Sequence, residues 1–103
     1  MTTSLDDVIK LLKLQKSKNE IGDTVEIPIP REVFAKKKSI RQSEFYQSQS
    51  SGLKPEIAFD IWEMDYENET QLEYENKTFK IIRTYSRNDE MLELICEGMS
   101  VNG

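Results

Sequence analysis

The sequence has no histidine, one cysteine, three prolines and four glycines among 103 residues. Without histidine there is no Ser-His-Asp or Cys-His nucleophilic system and no His-containing zinc site. Cys96 has no partner for an internal disulfide, which fits a reducing cytoplasm. Its apolar, strand-like surroundings mark it as core filler rather than a nucleophile. The glycines, at 22, 52, 98 and 103, are too scattered to form a phosphate loop. No apolar run approaches the ~20 residues that span a bilayer. The first stretch, "MTTSLDDVIKLLKLQK", begins with acids and ends with lysines, the reverse of a secretory signal. The expectation is a protein with no catalysis, cofactor, metal or membrane span.

Apolar residues at 37% and charged residues at 32% suit a polar but folded chain, with Trp62, four Phe and four Tyr to anchor a core. At this length one small domain, residues 1–103, is expected, burying roughly 65% of the surface the unfolded chain exposes. The net charge of −5 is unevenly spread. Residues 1–54 carry ten Lys and Arg against seven Asp and Glu, net +3. Residues 55–103 carry four against twelve, net −8. Such asymmetry suits head-to-tail association, although chance clustering on a solvated surface gives the same pattern. Overall acidity argues against general nucleic-acid binding, which wants a basic stripe.

The first segment admits two conformations. Ser4 and Asp7 resemble a capping box, with Leu5, Val8, Ile9 and Leu12 at helical spacing. Ile9, Leu11 and Lys13 also alternate as in a strand, and "KSKNEIGD" then forms a turn. Most of the remainder is strand-like. In "DTVEIPIP", Val25, Ile27 and Ile29 share a face, and Pro28 and Pro30 mark an edge or a terminus. "REVFAKKKS" is a second short strand. "EIAFDIWEMDY" is the strongest, with Ile57, Phe59 and Ile61 on one face and Ala58, Trp62, Met64 and Tyr66 on the other, so both faces want a cover. "QLEYENKTFKIIRTY" is a hairpin turning near Glu75, Asn76 and Lys77, with Leu72 and Tyr74 facing Phe79 and Ile81. "DEMLELICE" closes the domain, Leu92, Leu94 and Cys96 inward and Glu93 and Glu97 outward. These short strands predict a mainly β fold, a small single-domain barrel or sandwich with a short helix and a long loop between two strands.

That helix and loop, residues 39–55, break the strand pattern. Ser43 is the expected N-cap, Glu44 suits the first turn, Gly52 the C-terminal cap, and Leu53 and Pro55 restart extended chain. Long connections in compact domains are usually functional or disordered, and this one carries the aromatic pair Phe45 and Tyr46. Three groups of candidate interaction residues result. The loop and helix offer Phe45, Tyr46, Gly52, Leu53 and Pro55. Lys36, Lys37, Lys38 and Arg41 form a basic cluster for phosphates or an acidic partner, or a plain solvent face. Glu63, Asp65, Glu67 and Glu69, spaced by two, would line one edge of an extended chain, facing a neighbouring subunit and discouraging unwanted strand pairing. Calcium would want such oxygens, but an EF-hand's glycine turn and distal glutamate are missing.

From "VFAKKKS" through Ser43-Glu44-Phe45-Tyr46, Gly52-Leu53-Lys54-Pro55, Phe59, Tyr74, Lys77, Phe79, Ile81, Arg83-Thr84-Tyr85 and Leu94-Ile95-Cys96, the chain resembles the tailed-phage head–tail joining proteins, also called head closure or stopper proteins. The resemblance covers about residues 20–98, and "NEIGDTVE" looks like the family's first hairpin turn, favouring a strand over residues 8–17. It implies a small β-barrel whose copies form a ring, typically a dodecamer, beneath the portal and its adaptor. That ring closes the channel after DNA packaging, contacts packaged DNA in some arrangements and presents a docking surface to a tail-completion protein. The implied location is the virion, assembled in the host cytoplasm, with a protein that is monomeric in isolation. On this resemblance residues 39–55 project from the barrel, with Phe45, Tyr46 and Leu53 as apolar anchors; capping of the core by the same rings is the other expectation. The rival from the residues alone is an OB-like barrel binding nucleic acid or oligosaccharide, which needs exposed aromatics beside basic residues on a strand face.

Overall fold

In the computed structural model, residues 5–87 and 89–99 are described. They form a closed barrel of antiparallel strands in the order β1-β2-β3-β6-β5-β4. The strands are β1 (Asp7–Lys18), β2 (Thr24–Lys38), β3 (Ile57–Trp62), β4 (Gln71–Tyr74), β5 (Lys77–Ser86) and β6 (Met91–Gly98). A short helix, α1 (Gln42–Gln49), lies on the connection from β2 to β3, and a 3₁₀ turn (Glu63–Asp65) follows β3. The β expectation holds, and the barrel is its form.

Period-two alternation selects the interior. Ile9 and Leu11 of β1, Val33 and Ala35 of β2, Ile57, Phe59 and Ile61 of β3, Leu72, Phe79, and Leu92, Leu94 and Cys96 of β6 pack into one core. Phe59, fully buried, meets the Tyr74 ring edge-on at 5.1 Å. Burial pushes the Cys96 thiol up to about 12, which makes it an inert apolar filler at neutral pH. Leu72 pairs with Phe79 across the β4–β5 turn, where Glu75 and Asn76 both take positive φ, 50° and 65°. Two consecutive left-handed residues give the turn the twist a tight hairpin needs.

The structure decides the first segment as strand β1 and departs from the expected elements in three places. "DTVEIPIP" and "REVFAKKKS" are one continuous strand, because β1 pairs with β2 without interruption from Asp7↔Ala35 to Lys18↔Thr24. Pro28 and Pro30 do not break it, since neither nitrogen faces β1. The long strand expected through Tyr66 stops at Trp62. There the Glu63 N–H donates to the Glu90 carbonyl and Tyr66 N–H to Glu63, turning the chain across the end of the barrel. Helix α1 starts one residue before Ser43, with Arg41 at the N-cap and no side-chain capping bond. Its far end follows expectation: Gly52 has φ 75°, the Leu53 N–H reaches the Ser48 carbonyl and the Gly52 N–H that of Gln49, the paired bonds of a Schellman motif.

The β1–β2 hairpin outgrows the barrel. β4 pairs with β1 only at Lys10–Leu12, and β3 with β2 only at Lys36–Lys38. Beyond these the two strands pair with each other alone, from Lys13↔Ile29 to Lys18↔Thr24. This makes an arm about 20 Å long at the strand rise per residue, and it stretches the molecule to 53 × 31 × 23 Å. Its tip is a tight turn: Gly22 adopts φ 87°, and the Asn19 side-chain oxygen accepts the N–H groups of Ile21 and Asp23.

Candidate interaction surface

Helix α1 lies against the outside of the barrel, and its buried residues are Glu44 and Ser48, one turn apart. The inward stripe is therefore polar, and the aromatics point away: Phe45 is 47% exposed and Tyr46 65%. Of the two expectations for these rings, the outward one describes the molecule. Glu44 is held by Arg83, whose Nε lies 3.1 Å from Oε1, and by the Tyr85 hydroxyl, which donates to Oε2 at 2.9 Å. Gln47 accepts from Arg83 at 3.2 Å. Of the other loop residues, Leu53 is half-buried, Pro55 is buried and Gly52 is exposed.

A charged layer continues from the helix over the outer wall. Glu93, buried at the centre of β6, meets Arg41 at 2.8 Å and Lys38 at 3.1 Å. Lys38 also lies 3.5 Å from buried Asp60, which Arg87 contacts at 2.7 Å before pairing with Asp89. Arg41 sits over the Tyr85 ring, 5.6 Å from its centroid. On the outer face of β3 and β6 the two buried acids, Asp60 and Glu93, are thus covered by ion pairs. This explains how Asp60 and Glu93 tolerate burial.

The basic cluster is divided by this layer. Lys38 and Arg41 neutralise internal acids, and Lys37 leans over the Tyr74 ring at 5.9 Å. Lys36 is exposed. Phosphate binding by all four together is at odds with this placement, because two of them already hold buried carboxylates.

The acidic series does not form an extended edge either. Glu63 and Asp65 lie in the 3₁₀ turn, Glu63 accepting from the Ser86 hydroxyl. Glu69 is buried beneath Arg31, which contacts it at 2.8 Å and also donates to the Asp65 carbonyl. Glu67 lies 3.8 Å from Arg31 and 3.9 Å from Lys13, and its N–H donates to Glu69 Oε1. Burial disfavours the charged form of Glu69, yet the Arg31 guanidinium and two backbone N–H groups outweigh it and hold the carboxyl below its usual range. These acids fasten a cap over the barrel end from which the arm projects. Among the described residues no group of three or more Cys, Asp or Glu is arranged to hold a metal ion.

Further exposed apolar side chains lie outside residues 39–55, where the aromatic pair was expected. Val8 and Phe34 are cross-strand partners on the outer wall, 45% and 64% exposed. Trp62 at the end of β3 is 39% exposed, so it is not a core anchor, and Met64 in the cap is exposed. On the arm Leu14, Ile21, Ile27 and Ile29 all face solvent. The sequence signal was present in Val25, Ile27 and Ile29 sharing a face, but alternation alone does not say whether a face is covered.

No protein-family model matches the chain, and no curated protein does. Among solved structures, it is similar to the solution structure of protein SF1141 from Shigella flexneri 2a. That match has a TM-score of 0.73 at 16% identity, covering 91% of this chain and 92% of that one. The likeness is one of fold: a barrel of this shape supports sequences with few residues in common.

Proposed function

We propose that the chain is a structural connector of a tailed bacteriophage virion. In this role copies form a ring at the head–tail junction that closes the portal channel after packaging and receives the tail. The carrying observation is where the apolar surface lies. The barrel interior is filled by its own side chains, whereas Phe34, Phe45, Tyr46, Trp62, Met64 and the arm isoleucines face outward on several sides. A small protein with a packed core and apolar groups on an arm, a helix and a wall is built to be surrounded by neighbours. The resemblance of residues 20–98 to head–tail joining proteins supplies the identity of those neighbours: further copies, the portal adaptor above and a tail-completion protein below.

Phe45→Ser/Tyr46→Ser tests this. Both rings are exposed, so the variant should fold with a melting temperature close to that of the parent. Added to DNA-filled heads of the encoding phage or prophage that lack this protein, the parent should restore ring density and tail attachment, and the variant should not. Heads that gain tails without the protein would defeat the proposal. The OB-like reading draws on one feature, exposed Phe34 on a strand face beside Lys36, although Glu32 shares that face. Submicromolar, salt-sensitive DNA binding by the free monomer would favour it.

A further inference from the structure

The two edges of the arm are chemically unlike. Between Asn19 and Asp23 the bond runs from the Asn19 N–H to the Asp23 carbonyl, and the Lys37 N–H, at the other end of β2, reaches the Asp7 carboxylate. With an unshifted register between them, odd-numbered residues of both strands turn their backbone groups toward each other. Even-numbered residues turn theirs outward. On β2 the outward set includes Pro28 and Pro30, which have no N–H, so that edge cannot accept a regular ladder. On β1 the outward set beyond the barrel is Leu14, Lys16 and Lys18. Among the described residues nothing pairs with it, because β4 begins at Gln71 opposite Leu12 and the chain before it turns away to Arg31.

We propose that this β1 edge is a docking site for an extended acidic segment of a partner protein, which adds to the arm as a third strand. Charge selects the occupant. Residues 8–19 contain Lys10, Lys13, Lys16 and Lys18 and no Asp or Glu. A second copy offering the same edge would bring the lysines of both copies onto one ladder, Lys16 against Lys16 in the register centred there, and like charges side by side destabilise the pairing. A strand alternating acidic and apolar residues can set its carboxylates on the face that carries Lys16 and Lys18 and its apolar groups on the opposite face, which carries Ile27 and Ile29. Along this stretch Lys13, Leu14, Gln15, Lys16 and Ile29 line an open groove of about 450 Å³. The closed β2 edge limits the arm to one added strand and so prevents a growing sheet. This inference stands on the backbone of the arm and holds whether or not the chain sits in a ring.

The probe is a short capped peptide of alternating Val and Glu, titrated into the ¹⁵N-labelled full chain. Amide shifts and slowed hydrogen exchange are expected at Leu14, Lys16 and Lys18 but not along Thr24–Pro30, and binding should weaken with salt. Lys16→Pro removes one outward N–H without touching the β1–β2 ladder, and should cost about tenfold or more in peptide affinity. Should proline disturb the arm, Lys13→Glu/Lys16→Glu/Lys18→Glu replaces it, with preference expected to switch to an alternating Val and Lys peptide. The proposal is overturned if millimolar peptide shifts no arm amide, or if charge reversal leaves the preference unchanged. It is equally overturned if the free chain dimerises through this edge, which would make a second copy the occupant.

Discussion

Removing the Glu44 carboxylate should release helix α1 while leaving the barrel folded. The helix presents no apolar stripe to the wall; it is held at Glu44, 2% exposed, by Arg83 and Tyr85. Breaking a fully buried ion pair from one side costs about 3–5 kcal/mol. The Arg83 side chain keeps 27% of its exposure and can rehydrate, so a loss below that range, about 2–3 kcal/mol, is expected for Glu44→Ala. Detachment of the helix also limits the loss, because the barrel ladders do not pass through it. The expected outcome is a two-part response. Amides of residues 42–49 should lose protection from hydrogen exchange, while those of β3 and β6 keep theirs, and the urea midpoint should fall modestly. Tyr85→Phe deletes one charge-assisted bond and should cost about 1–2 kcal/mol. In a double-mutant cycle with Glu44→Ala the two losses should fall well short of additive. A helix that stays protected in Glu44→Ala, with stability within about 0.5 kcal/mol of the parent, would refute polar anchoring.

Two further outcomes follow from burial and charge. Glu69 has its carboxyl lowered from an ordinary 4.5, so its contribution is complete above that value and is lost as pH falls through the lower folded one. Urea melts should show stability dropping below about pH 4.5; Arg31→Met should cost about 1–3 kcal/mol at pH 7 and flatten that drop. Phe59→Ala, at a fully buried position, should cost about 3–5 kcal/mol by leaving a cavity. Trp62→Ala should cost only about 1–2, because its partly exposed ring leaves no enclosed void, and equal losses for the two in chemical denaturation would contradict the placement of Trp62.

The barrel was legible because its interior obeys a period of two almost without exception: Ile57, Phe59 and Ile61 or Leu92, Leu94 and Cys96 admit one inward face. The β4–β5 hairpin was legible because Asn76 marks a left-handed turn. The outer surface was harder to read, and for a physical reason. The residues left two places open for the aromatic pair of the short helix, core cap or outward projection; Phe45 and Tyr46 face outward, and what holds the helix to the wall is Glu44, which the sequence did not single out for that role. What fixes Glu44 is Arg83, and only the fold brings that residue, 39 positions along the chain, to it. The acids 63–69 look like an even row, but the row exists only if the chain stays extended, and Arg31 bends it by collecting Glu69 and the Asp65 carbonyl. Proline was legible in part. Pro28 and Pro30 mark an edge or a terminus, and the structure makes them an edge: with nothing beyond β2 in the arm they cost no ladder bond and leave the strand continuous. The same residues that blurred a strand boundary in the sequence give the arm its one closed and one open edge. A feature that reads as a structural stop can therefore be a choice about which side of a strand a partner is allowed to meet.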